Sequence, residues 1–253
     1  LSIVGDGDPT LGDSELLGIT DWSTEREVLQ RELKPWVDAV IKTGKRSFET
    51  IYVDDRIFDQ NFVHPSWPAD QINNWYCAQV AGINYHLNVI HFYPSPIQES
   101  RASLGRYAPS LPWLTIGNRT SSKTAKSNPS SFWVSRPPNS NVMTARGNVN
   151  ATHTTPVKVA LHDPSLIFGK TLANELQQYG ITSNEVKRVP DNADRSTGQL
   201  LYQRITPIEQ ALARSNRDSH NLYAEALLKR LAASATQRPG TFDEGATVIG
   251  TAI

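Results

Sequence analysis

Residues 217–230, Arg-Asp-Ser-His-Asn-Leu-Tyr-Ala-Glu-Ala-Leu-Leu-Lys-Arg (RDSHNLYAEALLKR), set a polar step, Ser219-His220-Asn221, directly before a strongly helical run. The step has two readings. Asp218, Ser219 and Asn221 are all favoured at a helix N-cap, because a short side-chain oxygen takes up an amide hydrogen that the first turn leaves unpaired. A short loop between helices uses the same residue types. Alternatively, the step is one part of an active site whose other parts lie elsewhere. Ser-x-Asn alone is too short to discriminate, so the rest of the chain has to decide.

The chain has 253 residues, enough for one large domain or two smaller ones with a real core. Its 25 basic and 25 acidic side chains cancel, which leaves no electrostatic footprint for nucleic acid and no polybasic patch for a membrane surface. No apolar run approaches the ~20 residues of a membrane span. Cys77 is the single cysteine, so an intrachain disulfide and a cysteine-based metal cluster are both excluded, although this does not fix the compartment. The first residue is Leu1 rather than Met, and the chain reads as a processed or excised segment.

Upstream of the opening stretch, TPIEQALARS has the form of a capping box, with Thr206 as cap, Pro207 at the first helical position and Glu209 reaching back. HDPSLIFGKTLANELQQYG predicts a helix with Asp163 as N-cap, Pro164 at its start and Gly180 as terminator. The LYAEALLKRLAAS helix is expected to come last. Nearer the N-terminus, STEREVLQRELKPWVDAVIKTG has Ser23 as its cap, apolar residues at helical spacing and Gly44 as its stop. A buried strand at Ile51-Tyr52-Val53 follows and runs into an acidic turn, and NVIHFYPSP (88–96) predicts another strand, stopped by proline. From there to about residue 155 the chain is rich in Ser, Asn, Thr and Pro. WLTIGN and SFWVSR read as short β pieces between turns, with no helical period.

SHNLYAEALLKRL, preceded by ITPIEQALARS, resembles the second active-site motif of the D-Ala-D-Ala carboxypeptidase/endopeptidases, the class C penicillin-binding proteins. That motif reads Ser-Asx-Asn-Leu-Tyr-Ala-Glu and runs into a leucine-rich helix. GDGDPTLG (5–12), YVDDRIFD, HPSW, WYCAQVAGINYHLNVI, VALHDPSLIFGKTL and QQYGI resemble further segments of the same family, in the same order, from Gly5 to about Ala232. The resemblance implies an α/β fold, part of a penicillin-binding-protein/β-lactamase-like transpeptidase domain with β-rich inserted domains. On this reading residues 1–95 begin an inserted α+β domain and 96–155 form a small β-rich insertion. Residues 156–200 are a return segment, and 201–253 are the helical part of the transpeptidase domain that carries Ser-x-Asn.

The family needs three elements: a Ser-x-x-Lys nucleophile, the Ser-x-Asn step and a Lys-Thr-Gly strand. No serine here has a lysine three residues later. The nucleophile is therefore expected upstream of Leu1. Lys42-Thr43-Gly44 has the third motif's letters but precedes Ser-x-Asn, and its context makes it the end of a helix, with a cation in the last turn and glycine after it. The true triplet is expected beyond Ile253. An acyl-serine enzyme activates its nucleophile with a base and delivers a proton to the leaving amine. The resemblance assigns that relay to the Ser219 hydroxyl, and to Asn221 the holding of the catalytic lysine and of the substrate's backbone amide. His220 is expected to point away from the chemistry.

The resemblance implies that the parent protein is a periplasmic serine-type peptidase without metal or cofactor. Its partners are peptidoglycan peptides, as substrate, and β-lactams, and this chain alone is expected to be inactive. A second reading is a relative that kept the fold and lost the chemistry, as a cell-wall-binding or scaffolding module. A third, an unrelated sugar-binding β domain, fits the ordered matches poorly. Weaker signals have plainer readings. GDGDPTLG mimics a phosphate loop, but Asp6 and Asp8 repel phosphate and Pro9 lacks a donor, so a tight turn is expected. Asp54-Asp55 reads as a solvated turn. His86 and His91 are an odd number apart on a presumed strand, hence on opposite faces and unable to share a metal. Trp67, Trp75, Trp113 and Trp133 either stack on glycan rings or pack locally.

Overall fold

The computed structural model describes residues 1–98, 100–123, 130–194 and 197–252. A first layer is the parallel sheet β1 (Ser2–Val4), β2 (Ser47–Asp54) and β9 (Thr182–Arg188), with β2 in the middle. Helices α1 (Trp22–Ile41) and α2 (Pro164–Gln178) cover one face. α1 buries Leu29, Leu33, Val37 and Val40, one stripe at helical spacing, and these meet Ile51 and Val53 of β2 and Phe168, Leu172 and Leu176 of α2. Tyr52 departs from the predicted run: it is 39% exposed, because successive strand residues alternate faces and only one face is covered. Gly169 lets α2 sit close, since a Cβ there would lie 2.6 Å from Val53 Cγ2.

The helix starts show which signals the chain uses. Asp163 does cap α2, accepting from the Leu166 amide at 3.2 Å. α1 is capped by Asp21, which accepts from Ser23, rather than by Ser23 itself. Lys42–Gly44 is indeed the turn that closes α1, with Gly44 at φ 72° and its amide on the Ile41 carbonyl.

A second, antiparallel sheet has β3 (Val89–Phe92) between β4 (Tyr107–Ala108) and β8 (Val157–Ala160). β3 is buried on both faces. Ile90 and Phe92 join a core with the third sheet, while Val89 joins the core under the C-terminal helices. The third sheet orders β5 (Ile116–Ser121), β7 (Met143–Asn148) and β6 (Trp133–Ser135). WLTIGN and SFWVSR overlap β5 and β6, as their pattern predicts.

The C-terminal part is α3 (Ile208–Asp218), α4 (Asn221–Thr236) and α5 (Phe242–Ala252). α4 is therefore not the last helix. Gly245 and Gly250 weaken the helical signal of α5, and Gly245 is needed there because a Cβ would stand 2.5 Å from the Leu228 carbonyl of α4. The capping box does not form either. α3 begins one residue later, and the Thr206 hydroxyl hydrogen-bonds Asp8 at 2.7 Å and accepts from Arg204.

Asp54 and Asp55 are not a solvated turn; they are 8% and 4% exposed. Asp54 pairs with Arg56 at 2.7 Å. Asp55 pairs with Arg188 at 2.9 Å, and Arg188 reaches on to Asp163 at 2.7 Å. The pairing joins the ends of β2 and β9 to the start of α2, and Arg188 lies far from Asp55 in sequence, where local turn chemistry gives no hint of it.

Candidate active site

α3 and α4 meet at the polar step. Ser219 takes a left-handed conformation (φ 49°, ψ 44°) as the C-cap of α3, and His220 is extended before α4. None of Asp218, Ser219 and Asn221 serves as a side-chain N-cap. Ser219 is exposed, and its hydroxyl makes no hydrogen bond among the described residues. Asn221 is half-buried and donates through Nδ2 to the Tyr76 carbonyl at 2.8 Å, which fixes the carboxamide with Oδ1 as its remaining acceptor.

Buried charge holds the joint in place. Arg214, 2% exposed, donates to Asp13 at 2.9 Å, pairs with Glu15 at 3.0 Å and also binds Asp218, the residue before Ser219. Asp13 is fully buried and also accepts from the Tyr223 hydroxyl at 2.6 Å. Burial pushes its carboxyl up, and hydrogen bonds from Arg214 and Tyr223 outweigh that and hold it below the usual range. Asp8, next to Gly7 (φ 83°), gathers Thr10, Arg204 and Thr206 in the same way. GDGDPTLG is an irregular segment, tied by the Gly5 and Gly7 amides to the Asp54 and Gly82 carbonyls, and only its end enters a turn, closed by the Asp13 amide on the Thr10 carbonyl. Its acid, with Asp13 beyond it, fastens the N-terminal segment to the C-terminal helices.

Beside the joint lies a cleft of about 340 Å³, lined by Trp75, Leu87, Val89, Lys158, Glu15, Arg214, Asp218 and His220. Ser219 sits between two lining residues and is not itself in the lining. His220, expected to turn away, lines the cleft instead, because the left-handed residue before it reverses the chain and tucks the ring inward. That ring packs 5.7 Å from Trp75 and 5.3 Å from Tyr223. Burial, and then the nearby Arg214 guanidinium, push His220 down to about 4, and its Nδ1 is buried without a hydrogen bond among the described residues. Sequence reasoning passed over Lys158. Its ammonium lies 5.9 Å from the Trp75 ring, and its one signal is a lysine inside the otherwise apolar strand Val157–Ala160.

The depressed His220 makes stability acid-sensitive. The unfolded chain takes up this proton near pH 6.5, the folded one only near 4, so stability is full above 6.5 and falls as pH drops between the two, by up to about 1.4 kcal/mol per pH unit. Urea unfolding at pH 7.5 and 4.5 is expected to show His220→Asn losing about 2 kcal/mol less than wild type over that range. Equal losses would remove His220 from the account.

The tryptophans divide. Trp67 donates to Glu225 at 2.7 Å and Trp133 carries Arg146 5.3 Å above its ring, whereas Trp75, 44% exposed, borders the cleft. His86 and His91 do come together, their ring centroids 4.4 Å apart. His86 lies in a 3-10 turn before β3, with positive φ at His86, Leu87 and Asn88, so strand alternation does not apply to it.

Three small sheets joined to a helical end, with a Ser-His-Asn joint beside a cleft, make up a mixed α/β architecture of the penicillin-binding-protein class. Penicillin binding protein 4 (dacB) from Haemophilus influenzae has this fold, with a TM-score of 0.74 at 17% identity over 99% of this chain and 52% of that one. Its complex with a novel β-lactam matches at 0.62, again at 17% identity, over 99% and 50%. The chain belongs to the D-Ala-D-Ala carboxypeptidase 3 (S13) family, whose profile matches residues 1–253. It spans about half the length of the solved relatives it matches. No curated protein sequence matches it significantly. Among the described residues no helix is long and apolar enough to cross a membrane.

Proposed function

We propose that this chain is part of a serine-type D-Ala-D-Ala carboxypeptidase/endopeptidase that cleaves peptidoglycan peptides through an acyl-serine intermediate in the periplasm and is acylated by β-lactams. The four-part division at residues 95, 155 and 200 belongs to the same proposal. In this reading Ser219 and Asn221 are the middle element of a site completed by Ser-x-x-Lys and Lys-Thr-Gly segments outside these residues. One observation carries it: an unpartnered Ser219 hydroxyl stands next to a cleft on a joint made rigid by Arg214 and Asp13, with Asn221 fixed two residues away. The Ser219 hydroxyl would pass a proton toward the leaving amine. The Asn221 carboxamide, anchored through Nδ2 on the Tyr76 carbonyl, would use Oδ1 to accept from the catalytic lysine ammonium or from the substrate's backbone amide. Family membership supports the substrate class.

Exposure to a labelled penicillin tests the proposal. The 253 residues alone are expected to stay unlabelled, and a chain extended at both ends to carry the two absent motifs is expected to be labelled covalently. Labelling of the short chain would put the nucleophile within it. An unlabelled extended chain would favour a non-catalytic cell-wall-binding relative.

A further inference from the structure

The core-facing stripe of α1 begins with a carboxylate, Glu25, 1% exposed. Among the described residues its ion-pair partners are two histidines, with no lysine or arginine. Oε1 lies 2.7 Å from His91 Nδ1 and 3.2 Å from His86 Nε2, while Tyr93 donates its hydroxyl to Oε2 at 2.9 Å. His86 and His91 are 1% and 2% exposed, and one donor atom from each of the three residues falls within 4.8 Å of the others.

His86 Nδ1 stands 2.9 Å from the Val89 carbonyl, which can only accept, so Nδ1 carries the proton. A neutral ring then turns the Nε2 lone pair toward a carboxylate oxygen, which also only accepts. Two buried acceptors 3.2 Å apart repel unless a proton or a metal ion lies between them. The surroundings match those of a metal ligand: one imidazole nitrogen fixed by a backbone carbonyl leaves the other as donor, and a phenol orients the carboxylate. The ligand-bearing turn also takes three successive non-glycine residues through positive φ (52°, 55° and 56°), a conformation that costs about 1–2 kcal/mol per residue and tends to mark functional constraint. Donors held at about 2.0–2.1 Å by a tetrahedral ion lie roughly 3.3 Å apart, so the two distances from Glu25 Oε1 need open by only about 0.6 Å or less.

We propose that Glu25, His86 and His91 form a buried structural site for a divalent transition metal, zinc by its imidazole–carboxylate donor set. The ion would staple the first turn of α1 to β3 and the turn before it. The full chain, free of any tag and stripped with a chelator, is titrated with Co²⁺ while its visible spectrum is recorded. It is then titrated with Zn²⁺ while Tm is followed. Cobalt d–d absorption is expected to saturate at one equivalent and to be displaced by zinc, and Tm to rise roughly 5–10 °C at a hundredfold zinc excess over Kd. Glu25→Gln, which keeps size and hydrogen bonding, is expected to weaken binding at least tenfold while circular dichroism stays native. His86→Gln serves if Glu25→Gln does not fold. A folded wild type with neither absorption nor Tm change overturns the proposal and leaves a shared proton between the two groups. Absorption that survives both substitutions places the ion elsewhere and overturns it equally.

Discussion

Ser219→Ala, made in a chain carrying all three motifs, is expected to lower kcat/KM toward a D-alanyl-D-alanine peptide by about 10²–10⁴-fold, the range over which a positioned proton-transfer group contributes. The fold should hardly notice. Ser219 is exposed, and its hydroxyl has no partner among the described residues. Its left-handed backbone sharpens the test, because an L residue at φ 49° carries a Cβ penalty of about 1 kcal/mol that glycine escapes. Ser219→Gly is therefore expected to be as inactive as the alanine variant and at least as stable as wild type. Steady-state kinetics and thermal unfolding on the same preparations separate the two properties. Glycine and alanine variants that retain activity would rule out the proton relay. Activity that falls only in step with Tm would assign Ser219 a purely architectural role.

Arg214→Met is expected to be the most destabilising of the single changes considered, at about 3–5 kcal/mol, or roughly 6–20 °C in Tm. The fully buried Asp13 would keep the Tyr223 hydroxyl but lose its only cation among the described salt bridges, and an uncompensated buried charge costs more than a lost contact. Asp218 would be released with it, loosening the joint on which Ser219 stands. Adding Asp13→Asn removes the stranded charge while keeping hydrogen-bonding capacity, so the double variant should be more stable than Arg214→Met alone. Urea unfolding of the two single variants and the double variant measures that coupling. Additive losses would show that the pair does not act as a unit.

Elements with a complete local signal were legible in the sequence. α2 has its cap, its proline and its terminator where Asp163, Pro164 and Gly180 predict them, and Lys42–Gly44 is the helix end that its context required. The order of family-like segments identified the fold that the solved relatives share. What escaped was settled by partners distant in sequence. Thr206 is drawn from its cap position by Asp8, 198 residues away, and Asp55 is desolvated by Arg188, 133 residues away. His86 and His91 were kept apart by assuming strand alternation across a segment that is a left-handed turn. α5 was hidden by two glycines, of which Gly245 is demanded by the crossing with α4. At the site, the polar step was visible, but the inward turn of His220 and the presence of Lys158 depend on how β8 and the α3–α4 joint pack together.

The parallel sheet imposes a schedule on the nascent polypeptide. β2 bonds on one side to β1 and on the other to β9, whose Glu185 lies 135 residues beyond its partner Thr50. A ribosome must add those 135 residues after Thr50 before that second flank is covered. Until then β2 presents a row of bare amides and carbonyls able to recruit a neighbouring chain. The two intervening sheets lie between those strands in sequence, so their condensation shortens the loop that β9 has to close to reach β2.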